Sequence, residues 1–164
     1  MGERLTAEEA LAEDDSRIMS GLWKLLDEAD IVIAHNALGA DVPWINTRFL
    51  MNGLKPPRPY KIIDTLQVAR KKFGFMSNKL DALCEYFGFP HKLDTDFELW
   101  RKCVHGDDEA LAYMQEYNKN DVKMLELVYL KLLPWIPNHP AIGNLVDSIS
   151  RSEERFSRMP RPIS

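Results

Sequence analysis

The sequence has few cysteines, few histidines and no long apolar run. Cys84 and Cys103 lie far apart in apolar helical surroundings and match no metal-ligand spacing, so we predict two reduced core thiols. The four histidines are dispersed and have no zinc-binding spacing. No segment approaches the roughly 18 apolar residues of a membrane helix, and the acidic N-terminus does not resemble a secretory signal. These absences predict an intracellular, cytoplasmic location.

The composition predicts one domain whose charge is unevenly distributed. Its 164 residues are 45% hydrophobic and 28% charged, with a net charge of −4. Residues 1–30 hold nine acids against three bases, whereas residues 48–72 hold seven bases against one acid. A basic zone beside an acidic site suits a phosphate backbone, although charge alone favours the alternative of solvated helix faces.

Periodicity and capping signals predict an α/β fold, mostly helical, with about seven helices and two strands. The expected strands, Ile31–Ala34 and Tyr60–Asp64, are each followed by a helix, so we expect a buried parallel pair that something else completes. We expect the domain to span residues 1–140, with an extra helix in its first 14 residues, and residues 141–164 to form a mobile tail. One predicted helix follows the capping box of Thr6 and Glu9, one is capped by Asp15–Ser16 and one by Ser77–Asn78. The other predicted helices span Val42–Met51, Thr65–Phe73, Phe97–Cys103 and, as a long helix, Glu109 to Leu133.

Three side chains form the predicted site. Asp41 follows the first strand, and Tyr117 and Asp121 lie four residues apart on one face of the long helix. Converging carboxylates suit Mg²⁺ or Mn²⁺. The alternatives stay open: Asp41 as a helix cap, Asn36 as a turn residue, Asp64 as a cap, and Tyr117 with Asp121 as a chance surface or half-core pair.

The order of these motifs resembles that of DEDD-superfamily 3′–5′ exonucleases, the proofreading type with an RNase H-like fold. The resemblance covers about residues 15–140 and is strongest to the phage and bacterial branch of predicted RNase H-like nucleases. It is carried by Asp30-Ile-Val-Ile-Ala-His-Asn36, Asp41-Val-Pro-Trp-Ile-Asn-Thr-Arg48, Ile62-Ile-Asp-Thr-Leu66, Phe97-Glu-Leu-Trp100 and Glu116-Tyr-Asn-Lys-Asn-Asp121.

The resemblance implies two-metal phosphodiester hydrolysis at the ends of single-stranded DNA or RNA. It makes Asp41 and Asp121 ligands of Mg²⁺ or Mn²⁺, and it places Tyr117 in the tyrosine subclass, where the phenol orients the attacking water. The predicted nucleic-acid contacts are His35, Asn36, Trp44, Arg48 and Asn118.

The sequence departs from the family pattern in two places. Ala40 stands where the family has an aromatic residue, and no Asp-x-Glu, the family's first motif, occurs before Asp30. We therefore expect a truncated RNase H-like fold, with Met1 as an internal start or the end of a fragment. We also expect weak metal binding, little activity as a lone chain, and a second copy or a complementing chain at the open edge of Ile31–Ala34. The alternatives are a catalytically dead module that binds nucleic acid or a replication partner, and a protein that keeps only the scaffold.

Overall fold

The computed structural model of the chain describes residues 4–90, 95–137 and 139. The described residues form helices and one small sheet, and a 3₁₀ turn, Leu133–Trp135, follows the last helix of the described part. The predicted tail over residues 141–164 lies outside the described residues. In chain order the elements are α1 (Ala7–Leu11), α2 (Ser16–Glu28), β1 (Ile31–Ala34), α3 (Asp41–Met51), β2 (Lys61–Asp64), α4 (Thr65–Lys72), α5 (Leu80–Tyr86), α6 (Phe97–Val104) and α7 (Asp108–Leu132).

The sheet consists of β1 and β2 running parallel. The register pairs Ile31 with Lys61 and Ala34 with Asp64. This arrangement confirms the predicted fold class, a mostly helical α/β fold with a short parallel two-stranded sheet. Because parallel strands end at the same sheet edge, the residues that follow β1 and β2 lie side by side.

The prediction that both strands are buried is wrong for β1. No residue of β1 is buried, and Ile33 is 36% exposed, whereas Ile63 and Asp64 of β2 are buried. An apolar run shows that a strand can be buried, but it does not specify which other elements cover it. Among the described residues only β2 pairs with β1, so the other edge of β1 is open there. An apolar strand with an open edge can pair with a further strand.

The core lies where α7 packs on α4 and α5. Leu83 and Val128 are completely buried, and Cys84 joins them in the same cluster. Cys84 and Cys103 are both free thiols, as predicted, although Cys103 is only partly buried. The members of the cluster are Ala69, Leu83, Cys84, Met124, Val128 and Leu132.

Helix α2 is joined to α3 by a contact that changes one capping prediction. Asp15 occupies the N-cap position of α2, but its side chain makes no capping bond. Its carboxylate is instead held by Arg48 and Asn52 of the α3 region, and Asp14 Oδ1 accepts from the Ser16 N–H at 2.9 Å. A charge-assisted pair with a guanidinium outweighs a local cap, since both carboxylate oxygens are engaged.

The remaining boundaries fall close to their predicted positions. Thr6 and Glu9 form the expected capping box, and Asp96 caps α6. The prediction that Ser77–Asn78 caps α5 is wrong, because Lys79 is the N-cap and makes no side-chain capping bond. No helix in the described ranges is long and apolar enough to cross a bilayer.

Candidate active site

A tight turn connects β1 to α3 and delivers Asp41. Asn36 takes the left-handed conformation, with φ of 66°, and its carbonyl accepts from the N–H groups of Gly39 at 3.2 Å and Ala40 at 3.1 Å. A Cβ added to Gly39 would lie 3.1 Å from Asn36 Oδ1, so the small residue leaves room for the Asn36 side chain. Asp41 is the first residue of α3 and is exposed, and Ala40 is the N-cap, so the reading of Asp41 as a cap is wrong.

Asp64 and Thr65 at the end of β2 are the buried polar side chains of the described core, 4% and 0% exposed. Asp64 caps α4, with Oδ1 accepting from the Leu66 N–H at 3.0 Å and from the Gln67 N–H at 3.4 Å. It also accepts from the turn: Oδ1 from the Asn36 N–H at 2.9 Å and Oδ2 from the Leu38 N–H at 3.3 Å. The capping prediction for Asp64 is confirmed, but it accounts for only half of these bonds.

His35 lies against Thr65 at the carboxyl ends of the two strands. Its Nδ1 is 2.8 Å from Thr65 Oγ1, and that hydroxyl donates to the Ala34 carbonyl at 3.1 Å. Burial lowers the pKa of His35, while Asp64 and a hydrogen bond with the Asn78 backbone partly oppose that shift. Burial therefore favours the neutral form of the His35 ring, which joins β1 to the start of α4 and to the segment before α5.

Tyr117 and Asp121 occupy the core-facing stripe of α7. Ala110, Met114, Met124, Val128 and Leu132 are its buried members. Tyr117 and Asp121 fall between Met114 and Met124 at the same helical spacing and are partly buried. A phenol and a carboxylate thus interrupt a row of buried apolar residues on α7.

The predicted nucleic-acid contacts differ in their surroundings. His35 and Asn36 take part in the bonds described above, and the Arg48 guanidinium contacts Asp15 at 2.6 Å. Trp44 is 58% exposed. Asn118 is exposed and lines an open groove of about 870 Å³ that runs along α7 beside the Arg4–Asp108 ion pair. Asn36, Trp44 and Asn118 are thus the exposed members of the five, whereas His35 and Arg48 are partly buried.

The basic zone of residues 48–72 is partly neutralised by the acidic N-terminal segment. Arg48 pairs with Asp15, and Arg58 pairs with Asp27 at 3.3 Å. The exposed run Arg70–Lys72 at the end of α4 retains a basic surface.

The donor set does not complete a metal site by itself. Across the described ranges, no three histidine, cysteine, aspartate or glutamate side chains are grouped so that they could hold an ion. The assignment of Asp41 and Asp121 as metal ligands therefore stays a prediction.

The sequence reasoning missed the connection that Asp64 and Thr65 make to the turn after β1. A signal was present, since Asp64-Thr65 stands at the end of one apolar strand and His35-Asn36 directly follows the other. It also missed two buried polar atoms without a hydrogen-bond partner in the described part, Asn78 Oδ1 and Asn120 Nδ2. Such atoms are uncommon and tend to mark bound water or functional positions.

Comparisons with known proteins identify the family of the chain. A family model described as Exonuclease, of the RNase T type, matches residues 4–93 and so includes the turn, Asp41 and Asp64. The chain belongs to this exonuclease family, which confirms the predicted resemblance to DEDD-superfamily enzymes.

Two curated relatives are similar over most of the chain. A protein of Ureaplasma parvum named DNA polymerase III PolC-type is 33% identical over 159 residues, which is 93% of this chain and 10% of the relative. The protein of the same name from Mycoplasma pneumoniae is 30% identical over 128 residues, 76% of this chain and 8% of the relative. The chain thus spans about a tenth of the length of these relatives. No solved structure gives a significant match.

Proposed function

We propose that this protein is a 3′–5′ exonuclease-like protein that acts on nucleic-acid ends by two-metal phosphodiester hydrolysis. The observation that carries the proposal is the position of Tyr117 and Asp121 in the core-facing stripe of α7. A surface pair formed by chance would lie on the solvent face, whereas these side chains interrupt a row of buried apolar residues. The exonuclease family match and the PolC-type relatives support the same function and favour DNA as the substrate.

In this proposal Asp41 and Asp121 are the ligands that the chain contributes to Mg²⁺ or Mn²⁺. Tyr117, one turn before Asp121, is the water-orienting phenol of the tyrosine subclass. Trp44 and Asn118 contact the strand from exposed positions, and exposed aromatic rings stack well on unpaired bases. His35, Asn36 and Arg48 contribute from positions that are already fixed by internal bonds.

The proposal includes a partner, because the described residues hold only part of a ligand set. Within the described part of the chain the outer edge of β1 is open, and the residues of β1 are apolar. A strand from a second copy or from a complementing chain would pair there and bring further carboxylates beside Asp41. In the absence of this additional strand, we propose that the protein hydrolyses phosphodiester bonds slowly. We place the protein in the cytoplasm of a bacterium or of a phage-infected cell, which suits its two free thiols.

A second candidate is a catalytically dead module that binds nucleic acid or a replication partner. It is favoured by one observation, the lack of a complete donor set in the described ranges. The exposed Trp44 and the basic run Arg70–Lys72 serve strand binding whether or not hydrolysis occurs.

The experiment that separates the two functions uses a 3′-labelled single strand with and without Mn²⁺. The exonuclease proposal expects slow, Mn²⁺-dependent trimming that Asp121→Asn abolishes and that Tyr117→Phe slows by up to about a hundredfold, since the attacking water loses its orientation. Asp108→Asn is the matched control, because Asp108 lies on the same helix in an exposed ion pair with Arg4.

The other outcomes decide against the first proposal. Binding that weakens steeply with salt and is never followed by cleavage favours the binding module, since phosphate contacts release counterions. If the unaltered protein neither binds nor trims the strand, both functions are excluded and a scaffold role remains.

A further inference from the structure

The end of β2 holds the turn that follows β1 through two adjacent buried side chains. Asp64 and Thr65 together make six hydrogen bonds, and four of them reach residues 34–38. The other two cap α4. The same carboxylate therefore fixes the start of α4 and the path of the chain that leads to Asp41.

Each carboxylate oxygen of Asp64 has its own hydrogen-bond donor in the turn. Asp64 Oδ1 and Oδ2 each accept from one backbone N–H of the turn, Asn36 and Leu38, so the carboxylate spans the first three residues after His35. Hydrogen bonds to a carboxylate are stronger than those between neutral groups. The Thr65 hydroxyl holds the last residue of β1 and the His35 ring from the other side.

The turn itself transmits this position to Asp41. Ala40 N–H bonds to the Asn36 carbonyl at 3.1 Å, and Val42 N–H bonds to the Ala37 carbonyl at 2.9 Å. Asp41 lies between Ala40 and Val42, so both of its neighbours are tied to residues that Asp64 orders. Movement of the turn would therefore move Asp41 with it.

We propose that Asp64 and Thr65 are positioning residues that set the direction of the Asp41 carboxylate through the turn of residues 36–40. The inference rests on the proposed function, because it assigns a purpose to the placement of Asp41. Asp64 touches neither substrate nor ion in this account, and it acts through backbone N–H groups alone.

The primary experiment compares Asp64→Asn with Asp96→Asn by amide hydrogen exchange and backbone chemical shifts. Asp96 is the matched control because it also caps a helix, accepting from the Leu99 N–H at 2.7 Å, and does not hold the turn. In Asp64→Asn the amide nitrogen cannot accept a hydrogen bond, so we expect the Leu38 amide to exchange roughly tenfold faster or more. We also expect the Asp41 backbone signals to shift. Asp96→Asn should change neither.

A second pair of variants keeps the test decisive if Asp64→Asn does not fold. Thr65→Val removes the hydroxyl at nearly constant shape, whereas Thr65→Ser keeps it. We expect Thr65→Val to shift the signals of His35 and Asp41, and Thr65→Ser to restore them. All variants are compared at a temperature where circular dichroism shows them folded.

One result would overturn the positioning role of Asp64, and a different result would overturn the proposed function. The positioning role would be overturned if Asp64→Asn and Asp96→Asn had the same effect on amide exchange at Asn36 and Leu38. The Asp41 signals would then also have the same chemical shifts in both variants. Failure of the unaltered protein to bind or trim a single strand would overturn the proposed function instead, and the exchange and shift data would still decide whether Asp64 directs Asp41.

Discussion

Arg48 and Asp15 form a two-point ion pair, with Nε to Oδ2 and Nη2 to Oδ1 both at 2.6 Å. Asn52 Nδ2 donates to the same carboxylate at 2.9 Å. These bonds join the start of α2 to α3, the helix that carries Asp41 and Trp44. The acidic N-terminal segment is thus part of the support of the candidate site.

We predict that Asp15→Asn destabilises the fold by about 1 kcal/mol, the range of a well-formed ion pair near the surface. Hydrogen bonds from Arg48 and then Asn52 lower the pKa of Asp15 from 3.8 to about 2. A depressed carboxyl pKa contributes stability that is complete above pH 3.8 and is lost as pH falls towards 2. Urea unfolding at pH 7 and pH 3 measures both effects, with Glu28→Gln, at an exposed position at the end of the same helix, as the control. Equal stability of Asp15→Asn and the parent at pH 7 would contradict the prediction.

His35 should make stability depend on pH between about 7 and 5. Burial lowers its pKa in the folded state, so the unfolded state binds the proton more readily and stability falls as pH drops below the ordinary value of about 6.5. Replacing the ring by His35→Gln should flatten that slope, measured as the unfolding midpoint in urea at several pH values. His105→Gln should leave it in place, and a slope that survives His35→Gln would assign it to another group.

The left-handed backbone of Asn36 predicts a ranking of substitutions. At φ of 66° a β-branched side chain is strained, so Asn36→Val should lower the free energy of unfolding by about 1–2 kcal/mol. Asn36→Gly adopts the same φ without strain and should cost much less. Thermal unfolding of the two variants gives the ranking, and a more stable Val variant would show that the turn has a different conformation.

The core cluster predicts a large effect at Leu83. This side chain is completely buried between α4, α5 and α7, and Leu83→Ala should cost about 2–5 kcal/mol through the cavity it leaves. Leu50 is 78% exposed, so Leu50→Ala should change stability by no more than about 0.5 kcal/mol. Urea unfolding of both variants tests the packing of α7, and a small effect at Leu83 would place the core elsewhere.

Local signals in the sequence were sufficient for the elements and for part of the site. Apolar runs gave both strands, the capping box of Thr6 and Glu9 gave α1, and the spacing of Tyr117 and Asp121 placed both on one face of α7. These features depend on neighbours within four residues, which the chain order specifies directly.

Contacts between distant segments were not accessible in the same way. The exposure of β1 depends on which distant elements cover it in the folded chain, and the missing cap of Asp15 depends on a guanidinium 33 residues away. A capping signal describes what a carboxylate can do locally, but a stronger partner elsewhere decides what it does.

The amino-acid order alone determined a mostly helical α/β fold, two apolar strands and the candidate site residues Asp41, Tyr117 and Asp121, because each of these follows from short-range spacing. Only the folded chain decided that Asp64 holds the turn leading to Asp41, and that Tyr117 and Asp121 interrupt a packed face. Those assignments arise when parallel strands and crossing helices bring remote groups within bonding distance, and no local pattern encodes that approach.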